Sequence, residues 1–403
     1  DSEDRKYKTY AYTKKGQILS LRAPDTPGEY EIRYVEGKTN TVLARRNLNV
    51  LKTSASLQIP TEISAGSEFK VFWEGPNNRQ DFITIVKSDT EERKYKSYRY
   101  TKNSKEDRDG KKYIKLRAPD YSGEYEVRYL TGQKYFTLAR ATINVTSTTA
   151  NLSAENQAKA GSEIKVYWEG PNNKQDFITI VKVDTEEKKY GKYKYTKNSK
   201  TDRNNKQYIT IRVPDKDGAY EIRYLTGQKY NTLARIPITI LSTDAGLEAP
   251  AEVSAGSKFK VYWTGPNNKQ DFLTVVKPEV EEKKYGKHYR YLRNSKKEPD
   301  GKIYLELTAP DDEGSYEIRY LTGQSYKTLA YTDIKVTSTT ATLTAPDQVV
   351  TNEKFDVKWT GPGNQHDYIA IFESKEADAK YTSYSYTRRG NPLKIMAPEE
   401  PGV

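Results

Sequence analysis

Apolar residues recur along this chain with a period of two. Between residues 54 and 149, Phe69, Val71 and Trp73 alternate with Lys70 and Phe72. A period of two puts alternate side chains on one face of an extended backbone, so the stretch predicts a strand. Others follow at Ile83 and Ile85, at Tyr95, Tyr98 and Tyr100, at Ile114 and Leu116, at Tyr125, Val127 and Tyr129, and from Ala139 to Val145. A leading strand around Leu57 and Ile59 brings the set to seven, with Pro and Gly between them and no sustained helical period anywhere.

The whole pattern repeats. Trp73, Trp168, Trp263 and Trp359 open the phrases WEGPNN, WEGPNN, WTGPNN and WTGPGN at spacings of 95, 95 and 96 residues. Tyr30, Tyr125, Tyr220 and Tyr316 head YEIRY, YEVRY, YEIRY and YEIRY in the same rhythm. A repeat of this length predicts an array of small domains rather than one large core. The expected boundaries are a partial repeat at 1–53, whole repeats at 54–149, 150–245 and 246–340, and a partial repeat at 341–403. Residue 1 aligns with Asp89 and Val403 falls where another YEIRY is due, so the chain reads as a window on a longer protein.

Seven short antiparallel strands in about 95 residues have the size and rhythm of an immunoglobulin-like or fibronectin type III-like β-sandwich. The predicted class is therefore all-β, a tandem array of seven-stranded Ig-like sandwiches forming an extended rod. Trp73, Trp168, Trp263 and Trp359 are expected in the cores. Tyr30, Tyr125, Tyr220 and Tyr316 join them, each just after a Pro-Asp or Pro-Gly turn, as in a tyrosine corner. The joints INVTSTTANL, ITILSTDAGL and IKVTSTTATL contain no long linker, which predicts limited hinge motion.

Composition narrows the function classes. Lys+Arg 67 against Asp+Glu 55 gives +12, a dispersed excess that favours anionic neighbours. Cys is absent, which excludes disulfides and thiolate metal sites. No apolar run approaches the ~20 residues of a membrane-spanning helix.

The phrases WTGPNN, YTRRGNPLKIMAPEEPGV, YEIRYLTGQ and TLAR resemble the Ig-like repeats of large bacterial proteins. Those in the C-terminal regions of von Willebrand factor A domain-containing secreted or periplasmic proteins are the family in question. The resemblance spans every repeat and implies spacer or interaction modules with no shared catalytic residues. The Asp-x-Ser-x-Ser metal signature of the A domain is missing, so that domain's adhesion chemistry does not carry over.

Few residues suggest chemistry, and the expectation is a non-enzyme with no catalytic residue, metal or cofactor. His288 and His366 are isolated, each at a different place in its repeat, and read as surface residues. Asp25, Asp120, Asp215 and Asp311 of the APD and VPD phrases lack clustered carboxylates for calcium, and turn chemistry accounts for them. The Gly-Pro-Asn-Asn loops at Gly75, Gly170, Gly265 and Gly361 precede strands rather than helices, so they read as tight connections and not as phosphate cradles.

Two surface features stand out. Tyr98, Arg99 and Tyr100, with Tyr193, Lys194, Tyr195 and Tyr289, Arg290, Tyr291, interleave rings and cations on one strand of each repeat. Such a strand grips acidic sugars or single-stranded nucleic acid, or it protects a sheet edge against aggregation. The three middle repeats also carry a hairpin lengthened by seven residues relative to Thr13–Leu19. Its tips present Lys105, Arg108, Lys200, Arg203, Lys296 and Lys297 as candidate lateral contacts.

Two functions fit. One is a structural stalk, fibre or surface-layer element outside the bacterial cytoplasm, at the cell surface or in the periplasm. Its partners would be further copies of itself or cell-envelope and matrix components. The alternative is a multivalent module for anionic polysaccharide or nucleic acid working through the Tyr/Lys strands.

Overall fold

The computed structural model describes residues 7–364, 366–372 and 381–401. The outer ends of both expected partial repeats, 1–6 and 402–403, lie outside the described residues. All regular elements among them are strands, apart from single 3₁₀ turns such as Thr13–Lys15 and Thr101–Asn103. The chain forms two compact units. One comprises Asp1–Ala154, Lys165–Thr210 and Glu221–Pro237; the other comprises Glu155–Ile164, Ile211–Tyr220 and Ile238–Val403.

In the first unit, β1 (Gly28–Val35) and β2 (Val42–Val50) form an antiparallel pair. The repeat that follows holds β3 (Ser56–Gln58), β4 (Glu62–Ser64), β5 (Glu68–Glu74), β6 (Phe82–Lys87) and β7 (Ser97–Tyr100). It continues with β8 (Lys105–Glu106), β9 (Lys112–Arg117), β10 (Gly123–Leu130) and β11 (Thr137–Thr146). One sheet has the order β3-β5-β9-β8 and the other β4-β11-β10-β6-β7. The single leading strand expected near Leu57 is two short strands, one on each sheet. β4 runs parallel to β11, whereas the other pairs are antiparallel. This is an immunoglobulin-like sandwich in which β8, supplied by the lengthened hairpin, is the edge strand of the first sheet, and β4 and β7 are the edges of the second.

The alternation seen in the sequence is the alternation of burial. On β5, Phe69, Val71 and Trp73 are buried while Glu68, Lys70 and Glu74 are exposed. They meet Ile83, Ile85, Val127 and Tyr129 of the facing sheet in one core. In β6 the run Phe82 to Val86 is buried throughout, because both faces of that strand are covered. In the second unit, Val261, Trp263, Leu273, Ile318 and Tyr320 build the same core.

Trp73, Trp168 and Trp263 are 4 to 6 % exposed and Tyr125, Tyr220 and Tyr316 are 4 to 5 % exposed. Trp359 and Tyr30 are only half-buried, a correction to the expectation of core positions. Among the described residues Tyr30 sits on a two-stranded sheet and Trp359 on a three-stranded one, so less surface is packed over them. The corner hydroxyls donate to the carbonyls four residues earlier, Tyr125 to Tyr121 at 3.1 Å, Tyr220 to Lys216 at 3.0 Å and Tyr316 to Asp312 at 3.0 Å. Each buried indole N–H also finds a partner. Trp73 donates to Ser104 Oγ at 2.8 Å, Trp168 to Ser199 at 2.7 Å and Trp263 to Ser295 at 2.9 Å, every acceptor standing at the root of the lengthened hairpin.

Candidate functional site: the repeat junction and the tyrosine cup

Two recurring constellations share one element, the turn that follows β10. A register shift between Tyr129 and Leu130 ends the ladder with β11. The chain then closes a tight loop in which Tyr135 N–H donates to Thr131 O at 3.2 Å and Phe136 N–H to Thr131 Oγ1 at 3.1 Å. Gly132 presses on the neighbouring loop, and a Cβ there would lie 2.5 Å from the Arg79 carbonyl oxygen. Its N–H donates to Asp81 Oδ1 at 2.9 Å.

Asp81, 1 % exposed, is the hub beneath this turn. Its Oδ2 accepts from Asn78 N–H at 2.9 Å and from the Tyr129 hydroxyl at 3.0 Å. Asp176 and Asp271 take the same three donors in their repeats. Burial pushes the carboxyls of Asp176 and Asp271 above the usual carboxylate range, against the backbone N–H bonds of Gly227 and Gly323 that favour the anion. Burial likewise raises the phenols of Tyr129, Tyr224 and Tyr320, with the neighbouring aspartate adding to the shift.

The outer side of the turn docks on the preceding repeat. In the first unit, Asp120 Oδ2 accepts from Thr226 Oγ1 at 2.5 Å and Lys229 N–H at 2.9 Å, and its Oδ1 accepts from Gln228 Nε2 at 3.0 Å. Gln228 Nε2 also donates to the Ala118 carbonyl at 2.8 Å. Asn173 of the Gly-Pro-Asn-Asn loop donates to the Ala65 carbonyl at 3.1 Å, and Arg117 lies 3.7 Å from Asp176. Asp25 accepts from the Gln133 N–H and Nε2 and from the Lys134 N–H at 3.0 to 3.2 Å. In the second unit, Asp215 accepts from Thr322, Gln324 and Ser325 at 2.6 to 3.1 Å, and Asn268 donates to the Ala160 carbonyl at 3.1 Å. Arg212 reaches Asp271 at 3.4 Å.

Asp25, Asp120 and Asp215, read from sequence as turn residues, are therefore junction acceptors, and the Gly-Pro-Asn-Asn loop is a docking surface as well as a connection. The signal for this was that the APD, GPNN and TGQ phrases recur together. Local reading misses it because Asp120 and Gln228 stand 108 residues apart, beyond one repeat.

The inner side of the turn faces β7, the edge strand that carries Tyr98, Arg99 and Tyr100. Phe82, 3 % exposed, forms a floor against which Tyr95, Tyr98, Tyr100 and Tyr135 stand, with ring centroids 4.8 to 6.5 Å away. Phe177 and Phe272 are the floors of the same cup in the next two repeats. Tyr193 and Tyr195, and Tyr289 and Tyr291, are wall residues there. Arg99, Lys194 and Arg290 are exposed on the strand's other face. Sequence reading found two of the four tyrosine walls, and it missed Tyr95 as part of the cup and Tyr135 on the distant turn.

The hairpin cations Lys105, Arg108, Lys200, Arg203, Lys296 and Lys297 are all exposed. Lys296 pairs with Glu306 at 3.1 Å. His288, read as a surface residue, is half-buried; burial and then Lys287 hold its imidazole below the usual range. Among the described residues no group of three or more His, Cys, Asp or Glu could hold a metal, and no helix is long and apolar enough to cross a membrane.

The sequence matches no family model and no curated protein. Solved structures with similar folds include the Escherichia coli adhesin FdeC, with 12% identity over 71% of this chain and 96% of that one at a TM-score of 0.19. Invasin, a bacterial integrin-binding protein, has 10% identity over 87% of this chain and 74% of that one at 0.18. Extracellular domains 3–5 of Drosophila OTK have 12% identity over 71% and 97% at 0.24. At such identities and scores these likenesses carry no functional information for this chain.

Proposed function

We propose that this chain is a non-enzymatic structural array of Ig-like repeats, bounded as 54–149, 150–245 and 246–340 with partial repeats on either side. It serves as a stalk, fibre or surface-layer element outside the bacterial cytoplasm, at the cell surface. Its lengthened hairpins make lateral contacts with further copies or with envelope and matrix components. The observation that supports this reading is the junction. Asp25, Asp120 and Asp215 each hold the turn of the following repeat through at least three hydrogen bonds. Side-chain docking at every such joint transmits load and orientation between neighbours, which a chain of independent binding beads does not need. Electron microscopy of the native full-length protein tests it. Regular fibres or straight stalks are expected, and freely jointed beads would overturn the proposal.

A further inference from the structure

The tyrosine cup holds a residue that its backbone does not ask for. Tyr135, Tyr230 and Tyr326 have φ of 58, 56 and 56°, the left-handed region that a bulky side chain rarely enters. The aligned position in the first repeat is Asn40, at φ 58°, a residue type that accepts this conformation readily. The turn alone is thus satisfied by Asn, and what Tyr adds is a ring. That ring stands 5.4 Å from Tyr95, Tyr190 or Tyr285 across the cup. Backbone strain held in place by the surrounding structure is concentrated at ligand sites.

The cup is open and has room. In the repeat 150–245 a cavity of about 70 Å³ is lined by Gln175, Phe177, Tyr190, Tyr193, Tyr195 and Tyr230. Its counterpart around Phe272 measures about 50 Å³. At ~10–15 Å³ for each water position, these hold roughly three to seven waters, the scale of one six-membered sugar ring. Wall tyrosines remain 38 to 44 % exposed at Tyr95, Tyr135, Tyr190, Tyr230, Tyr285 and Tyr326, well above the buried Phe floors. A pyranose has weakly positive C–H groups on its faces and hydroxyls around its rim. The negative faces of aromatic rings match the former, while phenolic hydroxyls and the Gln175 amide match the latter. The rings meet edge to face, with interplanar angles of 55 to 88° in the Phe177 cup, so no parallel pair is offered to sandwich a flat nucleobase.

A cation flanks each of the three cups. Lys102, Lys197 and Arg293 lie 5.3 to 5.7 Å from the ring centroids of Tyr100, Tyr195 and Tyr291. With the chain at +12, this charge selects against a cationic ligand and for an anionic one.

We propose that each tyrosine cup is a binding subsite for one acidic pyranose residue of a polysaccharide, the ring seated on the tyrosine walls and its carboxylate facing the flanking Lys or Arg. Several weak subsites on one chain then give avidity for a polymer that single sugars do not show. This goes beyond the structural role and stands or falls separately from it.

The test uses the full chain with polygalacturonate as probe and its methyl-esterified form as the neutral control, measured by biolayer interferometry. Binding to the acidic polymer and at least tenfold weaker binding to the ester are expected. Replacing Tyr95, Tyr190 and Tyr285 together with Ala is expected to weaken binding at least tenfold. Replacing Lys102, Lys197 and Arg293 with Gln is expected to weaken it severalfold and to flatten its salt dependence. Should the Tyr variant lose its fold by circular dichroism, titration of wild-type protein with a galacturonate oligomer decides, through shifts of tyrosine ring resonances in NMR spectra. Unchanged affinity in the folded Tyr variant, ring resonances that do not move, or preference for single-stranded DNA over polygalacturonate would each overturn the proposal.

Discussion

At the scale of single residues, the costly elements are polar groups held out of water, and the buried indoles and the hub aspartates are tied down by named partners. The indole of Trp73 needs Ser104, so Ser104→Ala is expected to lower stability by about 1–2 kcal/mol, read as a shift in urea midpoint with an unchanged slope. Asp271 accepts donors on both oxygens, and an amide in its place turns an N–H toward them. Asp271→Asn should therefore destabilise by about 1–3 kcal/mol. The pH dependence follows from the direction of the shift. Burial raises the folded-state pKa of Asp176 and Asp271 above 3.8, so the fold binds these protons more tightly than the unfolded chain does. Their contribution is greatest below that unfolded value and is lost as the pH rises through the folded one. The gap between wild type and Asp271→Asn is expected to widen from pH 7 toward pH 4, and denaturant titrations at both ends check it. Much at this scale is legible in the sequence: Trp73 and Tyr125 announce themselves as large residues at a fixed period beside turns. The role of Asp81 is not legible, because its three donors come from its own loop, from β10 and from the turn after β10, which only the fold brings together.

Among the elements, strands are the most legible and turns the least. Alternation names β5, β9 and β10 directly, and the continuous apolar run of Phe82 to Val86 marks a strand covered on both faces. The split of the leading strand into β3 and β4 leaves no trace in hydrophobicity, since each piece is three residues long and is placed by the sheet it joins. The turn after β10 carries more constraints than its six residues suggest. It packs a glycine against a loop, caps a buried carboxylate and offers donors to the preceding repeat. On the acceptor side, Gly161 sits at φ 75°, where an added Cβ would fall 2.5 Å from Asn268 Nδ2 and 2.8 Å from Asp215 Oδ1. Gly161→Ala is expected to cost about 1–2 kcal/mol through backbone strain and to break the Asn268 contact, visible as loss of protection of that amide in NMR exchange.

For the whole molecule, the repeat period and the short joints are legible in the sequence, but the junction hydrogen bonds are not, because donors and acceptors of one junction lie 106 to 110 residues apart. If junction hydrogen bonds couple neighbouring repeats, removing one acceptor should uncouple them. Asp120→Ala is expected to broaden or split the thermal unfolding transition of the full chain in calorimetry, while a surface change such as Arg108→Ala leaves it intact; a single unchanged transition in Asp120→Ala would refute the coupling. One property of the junction reaches further. It joins unlike halves: an aspartate, a carbonyl and an arginine at the trailing end of one repeat meet a turn and a loop at the leading end of the next. Such a contact is not self-complementary, so two trailing ends cannot mate. A 95-residue segment carries one half of each kind, and copying it in register always yields another matched joint. The number of repeats can therefore grow or shrink by whole-unit duplication and loss without redesign of any interface, whereas a deletion out of register strands a donor set with no acceptor.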